Sequence, residues 1–578
     1  MSRRMLVRTL SALMLFQTAV RADKAFSSPR RPAWRVTDSI RPSDFQPPLD
    51  IPLLLSANFG ELRKNHFHTG LDIKTQGVTG KTVRAVADGW VSRLAVSRYG
   101  YGKAVYIDHP NGYTSVYGHL ESFAPRLDSV VREAQYNGRS YVQNLFFEPG
   151  ELPVSRGQAL ALSGNTGSSG GPHLHFEIRE TESEEPMDPL LWFSDRIVDD
   201  VKPRVQALAV YAPAGEGVLS NGQDKQIVAV NTGQTPLLPA VWGRIGLGLK
   251  AYDYMSGTIN VYGVCRLQLF VDEKEVFSQE LNRFSFDESR YVNALTDYAE
   301  WALHNSWIMK SFRLPFNELD VYPSVLDDGY VTVEEERPYP CRYVLSDRHG
   351  NTTVVDFVLE GRKMEIPPVD TTLLCFSPQY DNRFVTPCLR LSLPRASLYE
   401  PLYFRYRQQP SSEASDIFEL HDLPAPVHTS LSLELAVMRD HLADKGQYFL
   451  AHLNQRGRWE FVPAVYDDGW MRAEVRELGS YTVLTDTVAP KIILPSIDNV
   501  LKNVLIRIGI RDDETDIAGY ECLIDGNWAL FEDDYKNASI FYRPDGRALR
   551  RSEKPHRLSV KVWDVCGNVA SKEWQFNY

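Results

Sequence analysis

Residues 173 to 178 read His-Leu-His-Phe-Glu-Ile, with a side chain able to bind a metal ion or carry a proton at every second position. Leu174, Phe176 and Ile178 fill the positions between. Such alternation marks a half-buried strand, because successive side chains point to opposite faces of a sheet. His173, His175 and Glu177 are therefore expected on one face, with the three apolar residues facing a core. About a hundred residues earlier, His68-Thr69-Gly70-Leu71-Asp72 offers a second pair of ligand types, and His119 in Tyr117-Gly118-His119-Leu120 offers another imidazole.

A single His-x-His pair needs no special explanation in a chain with 13 histidines. Their distribution does. His66, His68, His109, His119, His173 and His175 all fall between positions 66 and 175, where even spreading over 578 residues gives about 2.5. No cysteine lies in that stretch, so a metal bound there takes nitrogen and oxygen ligands. Two imidazoles and one carboxylate with a fourth position left open make the catalytic form of a zinc site, whereas structural zinc sites are closed and rich in cysteine.

The three stretches, His-Thr-Gly-Leu-Asp, Tyr-Gly-His-Leu and Gly-Asn-Thr-Gly-Ser-Ser-Gly-Gly-Pro-His-Leu-His-Phe-Glu, occur in the order and with the short internal spacings of the lysostaphin-type (LytM-type) zinc endopeptidases. Residues 50 to 190 resemble that family, whose members cleave peptide bonds of bacterial peptidoglycan. The resemblance implies one Zn2+ per chain, held by His68, Asp72 and His175. It implies His119 and His173 as catalytic histidines that do not bind the metal. The chemistry is consistent with those roles. Zinc brings the pKa of a bound water to about 7. One further imidazole can then accept the water's proton, while the other stabilises the oxyanion or protonates the leaving amine.

Neighbouring residues carry other expectations. His66 also lies near Asp72, but the family pattern favours His68 as the ligand. His109 belongs to the turn signal Asp108-His109-Pro110-Asn111-Gly112 and is expected to be structural. Glu177 is a candidate to hold a ligand histidine from behind, or to form a salt bridge. The Gly-rich run from Gly164 to Gly171 lacks the Lys-Ser/Thr ending of a phosphate loop and leads into a strand, so it reads as backbone lining a groove.

These groups need a rigid frame. Between Val83 and His119, short β-branched and aromatic runs alternate with the turn signals Asp88-Gly89, Tyr99-Gly100-Tyr101-Gly102 and Asn111-Gly112, the pattern of an antiparallel meander. In its last arm, alternation puts Tyr113, Ser115, Tyr117 and His119 on one face, so His119 is expected from a strand beside the one that carries His175. One departure from the family pattern stands out. About 20 residues are added around Arg126 to Phe147, with Tyr136, Tyr141, Phe146 and Phe147 among them, and they are expected to form a lid or groove wall.

The whole chain reads as mainly β: a zinc peptidase domain on an antiparallel sheet (49–198), then β-sandwich, immunoglobulin-like modules. Residues 199–362 and 488–578 look like related sandwiches. Each opens on a Pro-basic-aliphatic step (Pro203-Arg204-Val205, Pro490-Lys491-Ile492), carries an early Asp and Gly (Asp253 and Gly257; Asp512 and Gly519), and closes on Asp-x-x-Gly-Asn at Asp347 and Asp564. A third β module is expected at 363–487. Ahead of the peptidase, residues 1–22 read as a signal peptide, with Arg3, Arg4 and Arg8 before an apolar run too short to span a bilayer, and 23–48 as an extended lead-in. With no later apolar stretch of spanning length, no transmembrane segment is expected, and the protein is placed in the periplasm or cell envelope.

All six cysteines, Cys265, Cys341, Cys375, Cys388, Cys522 and Cys566, lie beyond the peptidase region. In an oxidising compartment the simplest pairing is local: Cys265 with Cys341, Cys375 with Cys388, Cys522 with Cys566. A net charge of −11 argues against nucleic acid as a partner. Peptidoglycan peptides are the expected substrate, with a cell-envelope protein partner open to the C-terminal β modules. Two functions of different class follow: an exported zinc endopeptidase, or a non-catalytic scaffold that activates other wall hydrolases. The complete set of ligands and extra histidines favours the enzyme; a protein substrate is a third possibility.

Overall fold

The computed structural model describes residues 44–231, 235–370, 372–493 and 505–578. The expected signal peptide and the lead-in up to residue 43 lie outside the described residues. The end of the lead-in is part of the first core: Phe45 is buried, with its ring against His109 and Trp192.

That core forms on an antiparallel sheet whose strands run in the order Leu55–Ala57, Leu71–Lys74, His173–Glu180, Tyr113–Gly118, Lys103–Asp108, Gly89–Val96 and Gln143–Phe146. The strands from Gly89 to Gly118 are the expected meander, each pairing with the next. On the central strand, alternation sorts the side chains as read from sequence. Leu174, Phe176 and Ile178 are fully buried in the core, each contributing about 1.5–3 kcal/mol of apolar burial. The opposite face carries His173, His175 and Glu177. His175 stands directly between Asp72 on one neighbouring strand and Gly118 on the other. Gly70 lets the first of these neighbours come so close: a Cβ there would lie 2.2 Å from the Phe176 carbonyl oxygen.

His119 reaches the same face by a different route from the one expected. Its strand does neighbour the His175 strand, but Tyr117 is paired with Phe176 on the core face. Simple alternation would carry His119 to that core face. The strand ends at Gly118 instead, and His119 takes a left-handed backbone (φ 58°), which turns the chain and swings the imidazole to the metal-capable side.

The added segment is not a lid. Pro125–Gly138 is an α-helix with proline in its first turn, and Leu127, Val131 and Ala134 are buried at helical spacing. Gln143–Phe146 then pairs with the outer edge of the sheet. The aromatic content serves docking: Tyr136 packs edge-on against Trp528 and donates a 2.6 Å hydrogen bond to Asp545, both in the last module. The contact continues through Arg98–Asp533 (2.7 Å) and a largely buried Lys103–Glu532 pair (2.6 Å). Glu532→Ala would leave the Lys103 ammonium unpaired, and thermal or denaturant unfolding should show a loss of about 3–5 kcal/mol.

Beyond residue 200 the chain builds two-sheet sandwiches. In the first, strands including Arg204–Tyr211 and Val241–Tyr252 face strands including Arg266–Val271 and Pro338–Ser346 around Leu247, Leu267, Phe277 and Tyr343. Two five-stranded sheets between Asn382 and Thr485 enclose Leu391, Leu433, Leu450 and Tyr481. Two four-stranded sheets between Lys491 and Phe576 form the last.

The expected disulfides are absent: all six cysteines are free thiols. Strand register explains two of the three. Cys341 lies opposite Val271 while Cys265 precedes the other end of the same strand, about 20 Å away at strand rise. Cys522 lies opposite Val560, six residues before Cys566, a similar gap. A disulfide needs Cα atoms within about 7 Å.

Candidate metal centre

On the open face of the first sheet, His68, Asp72 and His175 bring one ligand atom each to a common point. Asp72 Oδ1 lies 3.1 Å from His68 Nε2 and 2.9 Å from His175 Nδ1, and those two nitrogens are 3.2 Å apart. Ligands about 2.0 Å from a tetrahedral zinc ion stand about 3.3 Å from one another. His173 Nε2 is 3.3 Å from the same Asp72 oxygen, and the His119 ring lies 4.8 Å from the His173 ring, centroid to centroid.

The tautomers decide what this cluster can hold. Each imidazole donates its outer N–H to a fixed acceptor: His68 Nδ1 to Asn58 O (2.7 Å), His119 Nδ1 to Thr166 O (2.8 Å), His173 Nδ1 to Gly171 O (2.8 Å) and His175 Nε2 to Glu177 Oε1 (2.8 Å). Neutral imidazole has one donor and one acceptor nitrogen, so every inner nitrogen presents a lone pair. His68 Nε2 and His175 Nδ1 thus face each other as two acceptors beside a carboxylate, and His173 Nε2, also near that carboxylate, is buried without a hydrogen-bond partner. Only a proton or a cation satisfies such a group. The donor set fits a divalent ion of the zinc type, with His68, Asp72 and His175 as the residues that could hold it.

Charge in the metal-free cluster follows from the same contacts. Burial pushes the His175 pKa down, but hydrogen bonds and charges from Asp72 and Glu177 outweigh it and raise the value to about 9. Burial opposes ionisation of Asp72 as well, yet the surrounding histidines hold its carboxyl well below the usual range. Burial, then the nearby His175 and His173, lowers His119 to about 3, so it is neutral and able to accept a proton.

Glu177 does both things its sequence position allowed. The fully buried carboxylate takes the His175 N–H on Oε1 and pairs with Arg179 through Oε2 at 2.6 Å. Oε1 also accepts from Tyr101 Oη (2.6 Å) and from the Thr69 hydroxyl. Tyr101 and Arg179 were not singled out in the sequence, where Tyr101 is visible only as part of a Gly-rich turn. His66 is exposed and bonds its own loop at Lys64 O. His109 is structural, bridging Asp88 O and Ser115 Oγ in the core.

The cluster lies at the floor of an open groove of about 750 Å³. Ser168, Ser169 and Gly170 of the Gly-rich run form one side, as expected of that backbone. The last module braces this run from behind, Lys536 Nζ donating to Asn165 O (2.6 Å) and Tyr535 Oη to Gly167 O (3.3 Å). Sequence gave no sign of the opposite side: Phe286, Ser289 and Arg290 of the first sandwich and Arg476 of the second. Arg290 bonds the carbonyls of Val427 and Arg476, Arg476 bonds Ser430, and neither guanidinium meets a carboxylate among the described residues.

Residues 66–150, which hold His68, Asp72 and His119, match Peptidase family M23. The chain carries an M23 domain. Relatives align with about a fifth of the chain. The DD-carboxypeptidase/endopeptidase Mpg of Neisseria meningitidis is 34% identical over 123 residues, 21% of this chain and 22% of that protein. Murein hydrolase activator EnvC of Escherichia coli is 33% identical over 113 residues, 20% of this chain and 21% of its own. The chain thus spans about a fifth of the length of the relatives it matches. A zinc-containing peptidase from Vibrio cholerae aligns with 24% of this chain and 37% of its own, at 28% identity and a TM-score of 0.18. Residues 374–486, outside the M23 domain, match a Zu5-like domain. No helix among the described residues is long and apolar enough to cross a membrane.

Proposed function

We propose that this chain is an exported, zinc-dependent metalloendopeptidase that hydrolyses peptide bonds in peptidoglycan, with zinc held by His68, Asp72 and His175. The observation that supports it is the convergence of inner lone pairs from four imidazoles and the Asp72 carboxylate, each imidazole locked in tautomer from outside. When bound, the ion supplies a Lewis acid that acidifies water and polarises a carbonyl. His119 and His173 hold the unprotonated Nε2 atoms that accept the water's proton and return it to the leaving amine. Glu177 keeps His175 in the tautomer that binds metal.

The zinc-loaded full chain, incubated with purified peptidoglycan, should release fragments with new amino termini, identified by mass spectrometry. The name of EnvC supports a second reading, in which the domain activates other hydrolases. In that case the loaded protein releases nothing by itself, and His68→Ala still stimulates an added wall hydrolase.

Arg290 and Arg476 give this groove a cationic wall that suits a carboxylate of the peptide. A charge-assisted hydrogen bond contributes about 1.5–3 kcal/mol, so the Arg290→Ala/Arg476→Ala variant should raise KM about 10-fold or more with little change in kcat. The effect should vanish on a substrate whose free carboxylates are amidated.

A further inference from the structure

A second group of ligand-type side chains sits where the M23 domain joins the first sandwich. Asp199, Asp347 and His349 place ligand atoms within 4.8 Å of one another. Asp199 comes from the connection leaving the M23 domain. Asp347 and His349 come from the Asp-x-x-Gly-Asn hairpin between the strands Pro338–Ser346 and Thr352–Glu360. His349 Nε2 donates to the carbonyls of Ser194 (3.2 Å) and Ile197 (2.9 Å), so its Nδ1 carries a lone pair. That Nδ1 faces Asp199 Oδ2 at 3.7 Å, and both atoms are buried with no hydrogen-bond partner. The Asp199 side chain is 0% exposed. Asp253, 3% exposed, has its own partnerless oxygen, Oδ1. Burial, reinforced by the charges of Asp347 and Asp199, pushes its pKa up to about 8.

Two buried acceptors that face each other beside further carboxylates incur a desolvation cost that no hydrogen bond among the described residues offsets. The last module shows what satisfaction looks like. Asp486, Asp512 and Asp564 occupy the matching positions, with Asp486 four residues before Pro490 as Asp199 is before Pro203. There the Thr515 hydroxyl donates to Asp486 Oδ2 at 2.6 Å, while Asn568 Nδ2 donates to Asp564 Oδ2 at 2.9 Å just as Asn351 Nδ2 donates to Asp347 Oδ2 at 2.7 Å in the first sandwich. In the first sandwich Ser256, the counterpart of Thr515, gives its hydroxyl to Asp200 instead, which leaves Asp199 Oδ2 bare.

We propose that Asp199, Asp347 and His349 form a second divalent-cation site, which pins the M23 domain to the first sandwich. Carboxylates with one imidazole suit Mn2+ or Zn2+ better than Ca2+ or Mg2+. The role is structural: the ion ties the end of the M23 domain to the module that supplies Phe286, Ser289 and Arg290 to the groove. The site shares no ligand with the groove cluster, so it stands or falls independently of the proposed function.

The test uses the full chain carrying His68→Ala and His175→Ala, which disables the groove cluster. After chelation and dialysis against Mn2+ or Zn2+, this variant should retain one equivalent of metal, and its Tm should rise with either ion and little with Mg2+. Adding Asp199→Asn and His349→Ala should remove both the metal and the Tm response. Asp199→Asn alone should raise the Tm in chelator, since it relieves the bare carboxylate, and this measurement does not depend on the fold of the multiple variant. Absence of bound metal and of any Tm response in the groove-disabled chain overturns the site. So does a Ca2+ response that His349→Ala leaves untouched.

Discussion

His68→Ala and His175→Ala should each yield a folded protein that binds one equivalent of zinc fewer than the unaltered chain and shows no measurable hydrolysis of peptidoglycan, whereas His119→Ala should keep its zinc and lose turnover. His68 and His175 are the two imidazoles whose inner nitrogens approach each other at 3.2 Å on either side of Asp72, so removing either breaks the donor set. His119 stands further off, 5.7 Å from the His175 ring between centroids, with its Nδ1 fixed on Thr166 O. A positioned acid–base group contributes about 100-fold or more, and a loss in kcat of that size at full zinc occupancy is the expected result. Metal analysis beside single-turnover kinetics separates the two classes of variant. Zinc loss in His119→Ala, or full turnover without His119, would remove it from the proton-transfer role.

How much of this site could be read from sequence depended on whether local periodicity governs the residue. The His173, His175 and Glu177 row lies within one regular strand, and its sidedness follows from period two alone. His119 lies one residue past the end of its strand. There the rule fails, because a left-handed residue reverses the sense in which the next side chain points. Arg290 and Arg476 lie more than 100 residues from the nearest groove histidine in sequence, on modules whose packing no local pattern encodes. The same limit explains the added segment. Its aromatic residues looked like material for a substrate wall, and the surface they meet, Trp528 and Asp545, lies about 400 residues downstream. The cysteines misled for the opposite reason: two per module implied pairing, while strand register sets two of those pairs far apart.

Glu177→Gln should cost more than its near-isosteric geometry implies, in both stability and metal affinity. The carboxylate is fully buried and serves four donors, His175, Tyr101, Thr69 and Arg179. Burial alone would raise its pKa; Arg179 above all, with His175, drives it far below the usual carboxylate range. An amide keeps one acceptor oxygen and replaces the other with an NH2 group that must face either Arg179 or His175. Facing Arg179, it sets an N–H against the buried guanidinium, which keeps only the exposed Glu184 carboxylate at 3.7 Å, and breaking a buried pair typically costs about 3–5 kcal/mol. Facing His175, it forces that ring to present an acceptor outward and an N–H inward, the tautomer that cannot bind metal. Either arrangement should lower zinc affinity, by about 10–100-fold for a lost partner behind a ligand histidine. Competition with a chelator reads the affinity, and unfolding in the presence of chelator reads the stability term free of metal. Near-normal values in both measurements would show that Arg179 and His175 are held by the strand itself, with Glu177 only filling the space between them.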